Sequence, residues 1–151
     1  MLTDLATLPR FNSIAEDKRL EVSVYSFAYK KGIPVDNSGN GGGFVFDCRA
    51  INNPGKFEHY RQFTGLDPEV IKFLEDDGGV TKFLDSAYSM VDNHVKVFIE
   101  RKFTHMQVCF GCTGGQHRSV YCAEHLARHL AEKFDIKVTV MHRELDIEKV
   151  L

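Results

Sequence analysis

At 151 residues the chain is long enough for one domain with its own core. A hydrophobic content of 43% and a charged content of 26% are ordinary for a globular fold, and a formal net charge of −2 gives no bulk attraction to nucleic acid. No apolar run approaches the roughly 20 residues that span a bilayer, and the N-terminus lacks the basic-then-apolar order of a signal peptide. The expectation is therefore a cytoplasmic chain without a membrane partner, its four cysteines (Cys48, Cys109, Cys112, Cys122) reduced.

Residues 1–18 are weakly patterned and read as a linker or short N-terminal extension, leaving 19–151 as an α/β domain. Leu20 to Ala28 alternates, with Leu20, Val22 and Val24 against Tyr25 and Phe27, and predicts a strand covered on both faces. Asp36 to Gly43 holds too many glycines for regular structure. Phe44 to Ile51 reads as a second strand that ends in a charged pair, Asp47 and Arg49. In open α/β sheets such strand ends border the ligand crevice, although a salt bridge alone would also explain the pair. Asn52 to Gly65 is irregular. Asp67 and Pro68 have the order of an N-cap and first helical residue, and predict a short helix that Asp76-Asp-Gly-Gly79 breaks. A long helix is expected from Val80 to Arg101, with Leu84, Ala87, Val91 and Val95 in its core stripe.

Met106 to Phe110 predicts a strand and Val120 to Phe134 a helix, with Leu126, Leu130 and Phe134 buried and Glu124, Arg128 and Lys133 on the wet side. Ile136 to His142 alternates as a last strand. Helices between the later strands give the fold class: a single α/β domain, Rossmann-like, with a mixed sheet of about four strands flanked by helices.

Between that strand and helix lies Gly111-Cys-Thr-Gly-Gly-Gln-His-Arg-Ser119. A strand, a glycine-rich turn and a helix together form an oxyanion cradle. The first free N–H groups of the helix face the ligand, and its dipole favours negative charge there. Gly114 and Gly115 let backbone approach closely. Thr113, Gln116, His117 and Ser119 add donors, and the planar fork of Arg118 suits phosphate oxygens.

Three readings of this segment stand side by side. Cys112, five residues, then Arg118-Ser119 fits the signature of cysteine-dependent phosphatases, whose thiolate attacks phosphorus while the arginine clamps its oxygens. Gly111 stands where that family usually has histidine, and no general-acid loop is visible. Cys109-Phe-Gly-Cys112 has a redox or metal spacing but lies in a strand, not at a helix start. His125 and His129 are spaced like a zinc pair, without a third ligand. No metal and no cofactor are expected.

The third reading comes from a longer match. Gly111 to Ala127, with Phe46-Asp-Cys-Arg49, Asn53-Pro54, Thr64-Gly-Leu-Asp67 and His142-Arg-Glu-Leu145, closely resembles the C-terminal domain of the RNase adapter protein RapZ family, over roughly Leu20 to Leu145. The resemblance implies an α/β domain, similar to part of a sugar-phosphate kinase, that binds a phosphorylated amino sugar or a nucleotide and acts as a sensor or accessory regulatory module. It implies ligand contacts at Thr113, Gly114, Gly115, His117 and Arg118, with Asp47, Arg49, Asn53 and His142 as a second wall. Self-association and, in longer chains, a preceding nucleotide-binding or kinase-like domain are also implied.

Three departures stand out. No Gly-x-x-x-x-Gly-Lys-Ser/Thr segment is present, so no Walker-type ATP site is claimed. Gly55 replaces a histidine that the relatives carry after Asn-Pro. The final Asp146-Ile-Glu-Lys-Val-Leu151 lacks the basic character of relatives that bind RNA. The expectation is a phosphate-ligand domain in which Cys112 shapes the turn. A cysteine phosphatase using Cys112 and Arg118 and an RNA-binding adapter are the alternatives.

Overall fold

The computed structural model describes residues 17–151, so most of the predicted N-terminal extension lies outside the described residues. Strand β1 (Glu21–Ala28) is central and pairs in parallel with β3 (His105–Cys112) on one side and β4 (Lys137–His142) on the other. Strand β2 (Gly43–Asp47) extends the sheet in parallel beyond β3, and β5 (Ile147–Val150) runs antiparallel along β4. The order is β2-β3-β1-β4-β5. The α/β expectation holds, with a fifth strand that the sequence reading missed.

Register arranges the helix-facing side chains in rows. Val22, Met106 and Val138 stand abreast, then Val24, Val108 and Val140, then Ser26, Phe110 and His142. The first two rows are apolar and buried, and they pack with helices α1 (Pro68–Asp77), α2 (Gly79–Glu100) and α3 (Arg118–Lys133) into one core. Alternation has a period of two, so each row falls on one face. Leu84, Ala87, Val91 and Val95 of α2 and Leu126 and Leu130 of α3 are buried as their spacing predicts.

Two boundaries and one cap differ in detail from expectation. Strand β2 stops at Asp47, because its carboxylate accepts from Arg49 N–H at 2.9 Å and turns the chain out of the sheet. Only Gly78, in the left-handed region at φ 85°, separates α1 from α2. Asp67 occupies the N-cap of α1, but its carboxylate accepts from Thr64 N–H at 2.7 Å rather than from the helix. Among the described residues no helix is long and apolar enough to cross a membrane.

One burial expectation fails outright. Glu124, placed on the wet face of α3, is 2% exposed. It accepts from His142 Nε2 at 2.9 Å and from Lys149 of β5 at 2.7 Å, and pairs with Arg128 at 3.0 Å. His142 Nδ1 in turn accepts from Ser26 Oγ at 2.8 Å. Burial would raise the Glu124 carboxyl, but the bonds from His142 and Lys149 outweigh it and hold the group at about 2. Burial lowers His142, against the pull of Glu124, so the imidazole is the neutral member of the network.

Candidate functional site

Strand β3 ends at Cys112 and α3 begins at Arg118, which places the predicted turn at the carboxyl edge of the parallel strands. Glycines make the tight path possible for different reasons. A Cβ on Gly111 would fall 2.4 Å from the Phe27 ring, and one on Gly115, at φ +68°, would fall 2.8 Å from Ala28 N. A Cβ on Gly114 would meet nothing within 4 Å. Gly114 borders open space, not packed atoms. The N-cap of α3 is His117, and no side chain caps the helix. Its first N–H groups are left without the side-chain partners that such an end usually has.

A cavity of about 240 Å³ opens over this turn. Cys112, Thr113, Gly114, Gln116, His117 and Arg118 line it from the turn, and Asn53, Gly55 and Arg61 line it from the loop between β2 and α1. Of the remaining sequence candidates, Gly115 and Ser119 lie under the turn. Ser119 Oγ is 3.0 Å from Cys112 Sγ, and the Cys112 side chain is almost wholly buried. Asp47 and Arg49 form an exposed ion pair with each other at 2.8 Å, the Arg49 guanidinium lies 3.9 Å from the Tyr29 ring centre, and neither side chain lines the cavity. The Arg49 hydrogen bond holds the Asp47 carboxyl below its usual range. His142 belongs to the buried Glu124 network and is also absent from the cavity wall.

Arg118 is 5% exposed. Its Nη1 donates to the carbonyls of Arg49 and Ile51, both at 2.9 Å. Among the described residues its Nε is buried without a hydrogen-bond partner, and no carboxylate pairs with it. The two carbonyls fix the guanidinium plane and leave the Nε–Nη2 edge uncommitted. That edge is one of the two-pronged faces with which arginine grips a carboxylate or phosphate. A buried cation with unfilled donors is costly, so a site that keeps one is suited to an anion.

Gln116 and His117 line the cavity, but their donors turn elsewhere. Gln116 Nε2 donates to the carbonyls of Arg61 and Phe63, both at 2.8 Å. His117 Nε2 donates to those of Tyr60 at 3.0 Å and Phe63 at 2.7 Å. Gly65 completes the seam. Its N–H donates to Gln116 O at 2.9 Å, and a Cβ there would come within 2.3 Å of His117 O. These contacts explain Thr64-Gly-Leu-Asp67 as a docking piece for the cradle. Arg61 is a cavity residue that the sequence reading did not single out, and Gly55, noted there only as a departure from the relatives, lines the cavity beside it. An irregular loop gives no periodicity from which to infer where its side chains go.

The paired histidines of α3 have separate structural roles. His125 Nδ1 lies 2.9 Å from Tyr121 O, and His129 binds Asp92 at 2.8 Å and stacks on Tyr88 with ring centres 4.1 Å apart. Among the described residues no group of three or more His, Cys, Asp or Glu side chains is placed to hold a metal. All four cysteines are free and buried.

Residues 20–146 match the model of the RapZ C-terminal domain. Proteins named nucleotide-binding protein match over most of this chain. The one from Acinetobacter baylyi is 37% identical over 134 residues, which are 89% of this chain and 45% of that protein. The one from Thioalkalivibrio sulfidiphilus is 39% identical over 126 residues, 83% of this chain and 42% of its own length. The one from Fervidobacterium nodosum is 36% identical over 140 residues, 93% of this chain and 48% of its own. The chain thus spans less than half the length of these curated relatives. With the family model covering most of its residues, the chain belongs to the RapZ C-terminal domain family.

Proposed function

We propose that this domain binds a phosphorylated small molecule, an amino-sugar phosphate or a nucleotide, through the Cys112–Ser119 turn, and that it serves as a sensor or accessory regulatory module. The observation that carries the reading is Arg118: a buried guanidinium held by two carbonyls, its Nε without a partner among the described residues, beside an uncapped helix N-terminus. A phosphoryl group would satisfy both. Relatives named nucleotide-binding proteins agree with a phosphate-bearing ligand. The cavity of about 240 Å³ is smaller than the usual ~300–1,000 Å³ range of drug-sized sites. It suits a phosphate with a compact group attached, and a larger ligand would leave its remainder outside.

Arg61 and Arg118 are the charged side chains that line the cavity among the described residues, which suits holding a phosphate. Cys112 is read as a turn-shaping residue through its contact with Ser119.

The test is an NMR titration of labelled protein with glucosamine 6-phosphate, inorganic phosphate and ATP. The expected result is amide shifts in Thr113 to Ser119 with a phosphate compound, largest for the one that fits. Unmoved amides there with all three would overturn the reading.

A further inference from the structure

The cavity has a second cation. Arg61 reaches its wall from the loop between β2 and α1, and among the described residues Arg61 and Arg118 are the charged residues of the lining, with no carboxylate paired to either. Arg61 Nε donates to Gly55 O at 3.0 Å and Nη2 to Lys56 O at 3.3 Å, so the short loop braces its own arginine. Nη1 has no partner among the described residues. The loop is also held from outside: Gln116 and His117 bind the carbonyls of Tyr60, Arg61 and Phe63 on one side. On the other, Phe57 and Tyr60 pack on Phe73 of α1, with ring centres 5.8 and 5.2 Å apart. Arg61 is exposed, yet its backbone is fixed at both flanks.

We propose that Arg61 is a ligand contact that sets specificity, and that Gln116 is its positioning residue. This rests on the phosphate reading above and deepens it. A phosphomonoester carries about −1.5 to −2 at neutral pH, whereas a diester carries one charge. Two guanidinium groups and no acid match the monoester. Arg61 therefore favours a terminal phosphoryl group over a phosphodiester at this site. Gln116 does not touch the ligand. It holds the Arg61 carbonyl so that the arginine faces the cavity.

The test is calorimetry of glucosamine 6-phosphate and its methyl phosphodiester against the wild type, Arg61→Gln, Gln116→Ala and the double variant. The wild type should prefer the monoester by about tenfold, the effect of one added charged hydrogen bond. Arg61→Gln should weaken the monoester by about three- to tenfold, reduced by solvent screening at an exposed arginine. It should barely change the diester. Gln116→Ala should shrink the same monoester-to-diester ratio, and the double variant should add nothing, because both act on one contact. Preserved discrimination in Arg61→Gln, with wild-type binding intact, would overturn the assignment of Arg61 alone. Equal losses for both ligands in Gln116→Ala would mark it as merely structural and overturn its positioning role. Failure of the folded wild type to bind either compound would overturn the phosphate reading together with this one.

Discussion

Arg118 and Glu124 lie on the same helix, and both are buried, at 5% and 2% exposure. They differ in whether the protein completes their hydrogen bonds. Glu124 receives bonds from His142 and Lys149 and an ion pair from Arg128, and its neighbour His142 is matched at both ring nitrogens. Arg118 has its Nη1 matched and its Nε left over. Both charges carry the cost of leaving water, but among the described residues the acid is the more fully paired of the two. A closed polar network is what a fold uses to fix β4, β5 and α3 together. An incomplete one, at the carboxyl edge of a parallel sheet, is where the proposed ligand would supply the missing partner.

The largest expected effect tests the closed side. Glu124→Ala would leave His142 and Lys149 without their shared acceptor, and loss of one partner of a buried charge pair costs about 3–5 kcal/mol. Urea denaturation should show that loss, with β5 loosened. Acid should act on the same network. The Glu124 carboxyl is depressed from 4.5 to about 2 in the folded chain. The unfolded chain therefore takes up its proton first, and the stabilisation is present above pH 4.5 and lost as pH falls toward 2. His142 is lowered as well. Below 6.5 the unfolded chain binds that proton more readily too, so the two groups push in the same direction. The urea midpoint should fall from pH 7 to pH 4 in the wild type. Below pH 4.5 the further loss toward pH 3 that belongs to the carboxyl should be absent in Glu124→Gln, and an equal loss there would show that this acid sensitivity lies elsewhere.

On the open side the expected effect is on binding. Arg118→Gln should cost about 1.5–3 kcal/mol of phosphate-ligand affinity, the range for hydrogen bonds to charged groups. Its stability should change less than that of Glu124→Ala, because the variant removes an unmatched charge together with two matched bonds. A ligand that binds only the folded state raises its stability by about 2.7 kcal/mol at one hundred times Kd. Saturating glucosamine 6-phosphate should therefore raise the melting temperature of the wild type and leave that of Arg118→Gln nearly unchanged. Equal shifts in both would remove Arg118 from the binding site.

The two sides were not equally legible in the sequence. The strand–turn–helix around Gly111 to Ser119 was legible because its signal is local: glycines, donors and an arginine packed between an apolar run and a helical pattern. The two apolar rows of the sheet and the stripes of α2 and α3 were legible for the same reason, since periodicity needs only neighbours along the chain. Glu124 was placed in water because a charged residue on a helix usually is. Its burial depends on His142 and Lys149, 18 and 25 residues away. Strand β5 is four residues long and was lost in a polar tail. Gln116 and His117 had the composition of ligand donors, but the carbonyls of Tyr60 to Phe63 reach them only once Gly65 docks on the turn. Arg61 enters the cavity by the same fold-back. Local chemistry was readable, whereas partners brought in from distant sequence were not.

The smallest effect separates the two glycines at the centre of the motif. Gly115 sits at φ +68° with Ala28 N and Glu144 Cγ where a Cβ would go, so Gly115→Ala must strain the backbone or push β1 away. Gly114 has an ordinary φ and open space around it. Gly114→Ala restricts the unfolded chain at no steric cost, and should leave stability unchanged or raise it by about 0.4–1 kcal/mol. The added methyl would still stand on the cavity wall. Phosphate affinity should fall while stability does not, in chemical denaturation and calorimetry on the same sample. That split is what a position kept small for a ligand would show. If affinity stays level as stability rises, Gly114 is free of the ligand, and the binding surface narrows to Arg118 and the end of α3.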